Sequence, residues 1–188
     1  MNTPTEDGIQ ALAAPDWMRT VLTISGPAEP VAGFRATARG PGIIPWVIDW
    51  DYEEARLLAP MASEGPAART LARLLREAAQ ARAERARDPG VTGGCPFDLH
   101  RLVPVPTRIL QLGDDSAAAR RWLWEHWGTT WPLRQVELVE AGDRRRRRSA
   151  RITVSFVSAD WTPWAALRQI RADWPALDIA IRPGGDGG

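Results

Sequence analysis

The last sixty residues constrain the fold most. "RQVELVE" and "RITVSFV" both alternate apolar and polar residues, and "AGDRRRRRS" joins them. A period of two brings Val136 and Leu138 opposite Ile152, Val154 and Phe156 in a hairpin. "WTPWAALRQIRADW" then offers Thr162 as a cap, Pro163 at the first helical position, and Trp164, Leu167, Ile170 and Trp174 at helical spacing. "ALDIAIR" supplies a last strand. At the other end, "RTVLTISG" puts Leu22 and Ile24 on one face and Val21, Thr23 and Ser25 on the other. "AEPVAGFRATARG" follows as a helix with Val31, Phe34 and Ala38 inward and Gly40 as its cap. Strand, helix, two strands, helix, strand spells β-α-β-β-α-β. The expected fold class is therefore α+β, a ferredoxin-like sheet with a large, mainly helical insertion at about residues 40–132. A single domain over 17–182 is expected, between a flexible tail at 1–16 and a Gly-rich tail at 183–188.

Inside the insertion, Asp49 or Asp51 caps a short helix carrying Ala55, Leu57 and Leu58 and stopped by Pro60. From Pro66 to Asp88 runs the strongest helical pattern, with Leu71, Leu74, Leu75 and Ala78 as the stripe expected to turn inward. Arg69, Arg73, Arg76, Gln80 and Arg87 fall on the opposite side as a ridge able to track phosphates or simply to face solvent. "DPGVTGG" reads as a linker. "CPFDLHRLVPVP" alternates but is broken by prolines, which predicts an edge strand or extended arm. "DDSAAARRWLWEHWG" predicts a helix capped by Asp115 or Ser116 and closed by Gly128. It buries Ala119, Trp122, Leu123 and either His126 or Trp127, and Trp124 points elsewhere.

Four segments in this order carry a resemblance: "FDLHRLVPVP", "WEHWGTTW", "VSFVSADWTPW" and "DWPALDIAI". The chain resembles the YubB-type ferredoxin-like family of plasmid- and phage-associated bacterial proteins, over roughly Phe97 to Ile181. Thr130 stands where that family often has lysine, and Pro41 to Gly94 is unlike its shorter members. The resemblance implies the same fold and an association with mobile elements. It supplies no catalytic residue.

Composition narrows the function classes. No apolar run reaches the ~18 residues of a membrane helix, and the first twenty residues lack the basic start and apolar core of a secretory signal. A cytoplasmic, non-membrane protein is expected. Every one of the 24 basic residues is arginine, yet 23 acidic residues reduce the net charge to +1, so any polyanion must meet a local patch. The single cysteine, Cys95, excludes an internal disulfide framework. Cys95, Asp98, His100 and His126 match no trusted metal spacing, Glu53 and Glu54 diverge on a helix, and no phosphate loop or nucleophile elbow occurs. No catalytic residue, cofactor or metal is expected, and nothing argues for an enzyme.

Two surfaces remain. Arg144, Arg145, Arg146, Arg147 and Arg148 form a charge run at the hairpin tip, to which the Arg69, Arg73 and Arg76 ridge adds if both share one side. Trp124, Trp131 and Trp161 have no helix face drawing them inward and stand as candidate partner contacts. The expected function is a non-enzymatic binding module contacting nucleic acid through the arginine hairpin. The alternative is a protein-interaction or self-assembly module using a Trp-rich surface. Oligomeric state is not legible.

Overall fold

The alternating runs become strands. In the computed structural model, which describes residues 16–59, 65–87, 94–141 and 148–184, four strands form one antiparallel sheet. They are β1 (Trp17–Pro27), β2 (Arg134–Ala141), β3 (Ser149–Ala159) and β4 (Asp178–Pro183), in the order β2-β3-β1-β4. The fold class is α+β. Residues 1–15 of the tail expected at 1–16, the breaker Pro60, residues 88–93 of the linker "DPGVTGG", Arg144 to Arg147 and the last residues of the Gly-rich tail lie outside the described residues. β4 runs through Pro183, and the Gly184 N–H donates to the Arg19 carbonyl, so the sheet outlasts the boundary expected at Arg182.

Strand period assigns the faces. Thr20, Leu22 and Ile24 of β1 and Ile152, Val154 and Phe156 of β3 are buried on one side. Register holds them in line, with Leu22 opposite Val154 and Ile181, and Ile24 opposite Ile152 and Ile179. Leu138 sits opposite Val154 as the pattern requires. Val136 falls in a bulge between Arg134 and Glu137, where Gln135 adopts φ +48. One extra residue there re-aims the start of β2, which fixes where Arg134 points.

Helices α1 (Ala28–Ala38) and α7 (Trp164–Asp173) bury Val31, Phe34, Ala38, Leu167 and Ile170 in that core. Between α1 and β2 lie α2 (Trp50–Leu58), α3 (Pro66–Arg87), α4 (Leu99–Leu102), α5 (Thr107–Leu110) and α6 (Ala117–Trp127). The inserted region completes the same core through Ile44, Trp46, Phe97, Leu99, Val105, Leu123 and Trp127. Its centre is aromatic. Phe97 stacks on Phe156 at 5.6 Å, and Trp174 meets Phe34 edge-on at 5.2 Å.

Several local expectations give way to tertiary structure. "CPFDLHRL" is not an edge strand: Cys95 makes one bridge with Gly40, and Asp98 then caps α4 by accepting the His100 N–H at 2.8 Å. The cap overrides the alternation. Gly40 does not cap α1, whose C-cap is Arg39. It lies so close to α4 that a Cβ there would overlap the Asp98 carboxylate. Thr162 does not cap α7 either. Its hydroxyl pairs with that of Thr20 at 3.1 Å, and Pro163 takes the cap position. Trp164, expected inward, is exposed because Ala166 takes the buried position of the first turn. In α6, Trp127 rather than His126 is buried, and its indole N–H donates to the Val103 carbonyl at 2.9 Å. Trp122 is only half-buried and stacks on His126 at 4.2 Å. Gly128, at φ +81, ends the helix as expected.

The largest correction concerns α3. Leu71, Leu74 and Leu75 face solvent, while Ala72, Arg76 and Ala83 face inward. On this inward side Asp51 and Glu54 of α2 both ion-pair with Arg76 Nη1, at 2.8 and 2.7 Å. A guanidinium shared by two carboxylates marks the side that meets α2, and small alanines above and below it let α2 approach.

Candidate functional site

The second face of the sheet looks outward. Paired positions share a face, so Arg19, Val21, Thr23 and Ser25 of β1 lie beside Val157, Ser155, Thr153 and Arg151 of β3. Arg182 and Asp178 of β4 lie on one flank, and Arg134 and Glu137 of β2 on the other. All are half-buried or exposed. Arg19 pairs with Glu137 across this face at 3.9 Å, and both side chains stay largely in solvent. Four arginines against two acids make the face basic although the chain is nearly neutral.

At one end of this face the guanidinium of Arg134 lies 4.0 Å from the ring centroid of Trp17 and 5.7 Å from that of Trp131. Trp17 is 37% exposed and Trp131 44%, so both rings keep free area. Trp161 is 55% exposed in the turn after β3. These residues share one end because Trp17 pairs with Ala159, while the Asp160 N–H donates to the Asp16 carbonyl at 2.6 Å.

Buried hydroxyls hold that end together. Thr129 donates to the Ala159 carbonyl at 3.0 Å and Ser158 to the Trp161 carbonyl at 2.7 Å. The segments "WGTTW" and "SADWTPW", far apart in sequence, are thereby tied edge to edge. Thr130 Oγ1 and Asp160 Oδ1 are buried with no hydrogen-bond partner.

The structure places Trp131 and Trp161 at the same end of the sheet and Trp124, half-buried, on α6. Trp17 and Arg134 were given no role by sequence reasoning. Continuing the β1 alternation back from Val21 and Arg19 puts Trp17 on the outward face, which was the available signal. Arg148 is exposed at the other end of β3 from the tryptophans. Ten residues of strand separate the ends, about 33 Å at ~3.3 Å per residue, so Arg148 and the tryptophan end are two poles of one long surface. On α3, Arg76 is committed to Asp51 and Glu54, and Arg73 lies 3.9 Å from Glu77. Arg69 is exposed. The expected three-arginine ridge therefore loses Arg76 to α2.

Cysteine and histidine chemistry has little footing. The Cys95 thiol donates to the Phe97 carbonyl at 3.3 Å, and burial, opposed by that bond and assisted by Asp98, pushes it up to about 11. It is a protonated thiol at neutral pH. The Val105 N–H donates to His100 Nδ1 at 3.2 Å, and burial holds this imidazole below its ordinary value. Among the described residues, no group of three or more His, Cys, Asp or Glu side chains is arranged to hold a metal, and no helix is long and apolar enough to cross a membrane.

No protein-family model and no curated protein matches the chain. Among solved structures, the crystal structure of a protein api92 from Yersinia pseudotuberculosis, assigned to family model DUF1281, is similar in fold. It superposes with a TM-score of 0.51 at 13% identity, covering 92% of this chain and 91% of that chain. The likeness extends beyond the four strands and concerns the fold alone.

Proposed function

We propose that this protein is a ferredoxin-like binding module that holds single-stranded nucleic acid on its outward sheet face. Arg19, Arg134, Arg151 and Arg182 meet phosphates, and Trp17 and Trp131 stack on bases. The observation that carries the reading is the placement of Arg134 against two partly open tryptophan rings on the face that the core helices leave uncovered. Aromatic stacking beside a basic track is how single strands are bound without sequence readout. In RNA-binding sheets of this size the aromatics lie on the central strands. Here those strands present Val21, Thr23, Thr153 and Ser155, so stacking falls at the tryptophan end and the middle of the sheet supplies a passage for the backbone.

The strand order β2-β3-β1-β4, with α1 after β1 and α7 after β3, supports the ferredoxin-like assignment. The four ordered segments from Phe97 to Ile181 support kinship with the YubB-type family and its mobile-element setting. Arg148, exposed at the far end of β3, adds non-specific charge at the far pole of the same surface.

Titration of a labelled single-stranded oligonucleotide at two salt concentrations tests this reading. Four phosphate contacts predict a slope near −3 in log affinity against log salt, a loss of about 50-fold between about 50 and 200 mM. A salt-independent affinity, or no binding at the lower salt, rejects it.

A further inference from the structure

α3 is amphipathic in two directions. One side, through Ala72, Arg76 and Ala83, packs toward α2. About 130° round the helix, at 100° per residue, Leu71, Leu74 and Leu75 stand in solvent, exposed by 49%, 54% and 45%. Ala78 continues the line, and Arg82 and Arg85, both exposed, close it one to two turns later. Neither helix of the α2–α3 pair contributes to the main core, so nothing in the fold of the described residues accounts for three leucines in register.

Charge decides what fits there. The α3 sequence holds six arginines and two glutamates, and Arg76 is committed to α2. A second copy laid on this face would set a net positive helix against another. A nucleic acid would match the arginines and leave the leucines wet. We infer that the Leu71–Leu74–Leu75 face of α3 docks an acidic amphipathic helix of another protein, whose apolar seam covers the leucines and whose carboxylates meet Arg82 and Arg85. This surface is separate from the outward sheet face and does not depend on it.

The test is fluorescence anisotropy with a labelled amphipathic peptide of about 18 residues, leucines at i, i+3, i+4 and i+7, and flanking glutamates, against the same peptide with lysines. The full-length protein saturates the glutamate peptide and not the lysine peptide. Leu74→Ser or Leu75→Ser weakens binding about tenfold and leaves the melting temperature within about 3 °C, because the positions are exposed. Arg82→Glu combined with Arg85→Glu transfers the preference to the lysine peptide. The proposal is overturned if the glutamate peptide does not saturate or both peptides bind alike. It is overturned equally by a sedimenting dimer that Leu74→Ser dissociates, by binding to phosphatidylserine vesicles without peptide binding, or by a large fall in melting temperature on Leu74→Ser.

Discussion

The Arg134 guanidinium stacks on Trp17 at 4.0 Å, joining the first residue of β1 to the first residue of β2 across the intervening strand β3. A stacked cation at an exposed site stabilises by only ~0.5 to 1 kcal/mol. Arg134→Ala therefore lowers stability by no more than about 1 kcal/mol in urea denaturation. The same change lowers affinity for a single-stranded oligonucleotide about tenfold, since it removes a phosphate contact and an ordered ring together. Equal loss in both measurements, or in neither, contradicts a binding role for the pair.

Asp98 is 4% exposed and accepts two backbone N–H groups, from Gly42 at 2.9 Å and His100 at 2.8 Å. Asp98→Ala strands both donors and frees the turn at Gly40 from α4. A loss of about 2 to 4 kcal/mol is expected by chemical denaturation. Asp98→Asn retains one acceptor oxygen and loses less.

The two threonines of "WGTTW" differ in a way that sequence alone does not reveal. Thr129 donates to the Ala159 carbonyl, whereas Thr130 Oγ1 is buried with no partner. Thr129→Val loses about 0.5 to 1.5 kcal/mol, the net value of one hydrogen bond, because the Ala159 carbonyl keeps the Trp161 N–H at 2.7 Å. Thr130→Val is neutral or stabilising, because it removes an unpaired hydroxyl. Thermal melts of the two variants separate these outcomes.

His100 sets an acid-side dependence. Burial holds its folded pKa below the unfolded value of about 6.5. Asp98 opposes that depression and Arg101 adds to it. As pH falls below about 6.5 the unfolded chain takes up a proton before the native one, so stability falls, and the fall ends once pH passes below the folded pKa. Protonation also places a donor at Nδ1 against the Val105 N–H. His100→Gln flattens the difference in urea midpoint between pH 7.5 and 5.5; an unchanged difference assigns it to other groups.

The sheet was legible because alternation is local: Leu22, Ile24, Val154 and Phe156 face the core by period alone. α3 was misread because its strongest apolar stripe is not the one it buries. The side it buries is the one that meets α2, where Asp51 and Glu54 pair with Arg76, a partner that pattern analysis of α3 does not contain. "CPFDLHRL" failed for a related reason, as the Asp98 side chain outbids alternation by capping a turn. Of the candidate site, Trp131 and Trp161 were selected by lacking a helix to bury them. Trp17 and Arg134 were not, since their stacking needs the β1–β3–β2 register and the bulge at Gln135. Arg76 was misjudged because only tertiary contact shows it neutralised.

The most direct test of the central claim is the affinity of Trp17→Ala and Trp131→Ala for a labelled oligothymidine at low salt, measured by anisotropy beside wild type. Stacking worth ~1 to 3 kcal/mol per base predicts a loss of about five- to 150-fold for each variant. Both variants binding as tightly as wild type would contradict the assignment of the outward sheet face as the nucleic-acid surface.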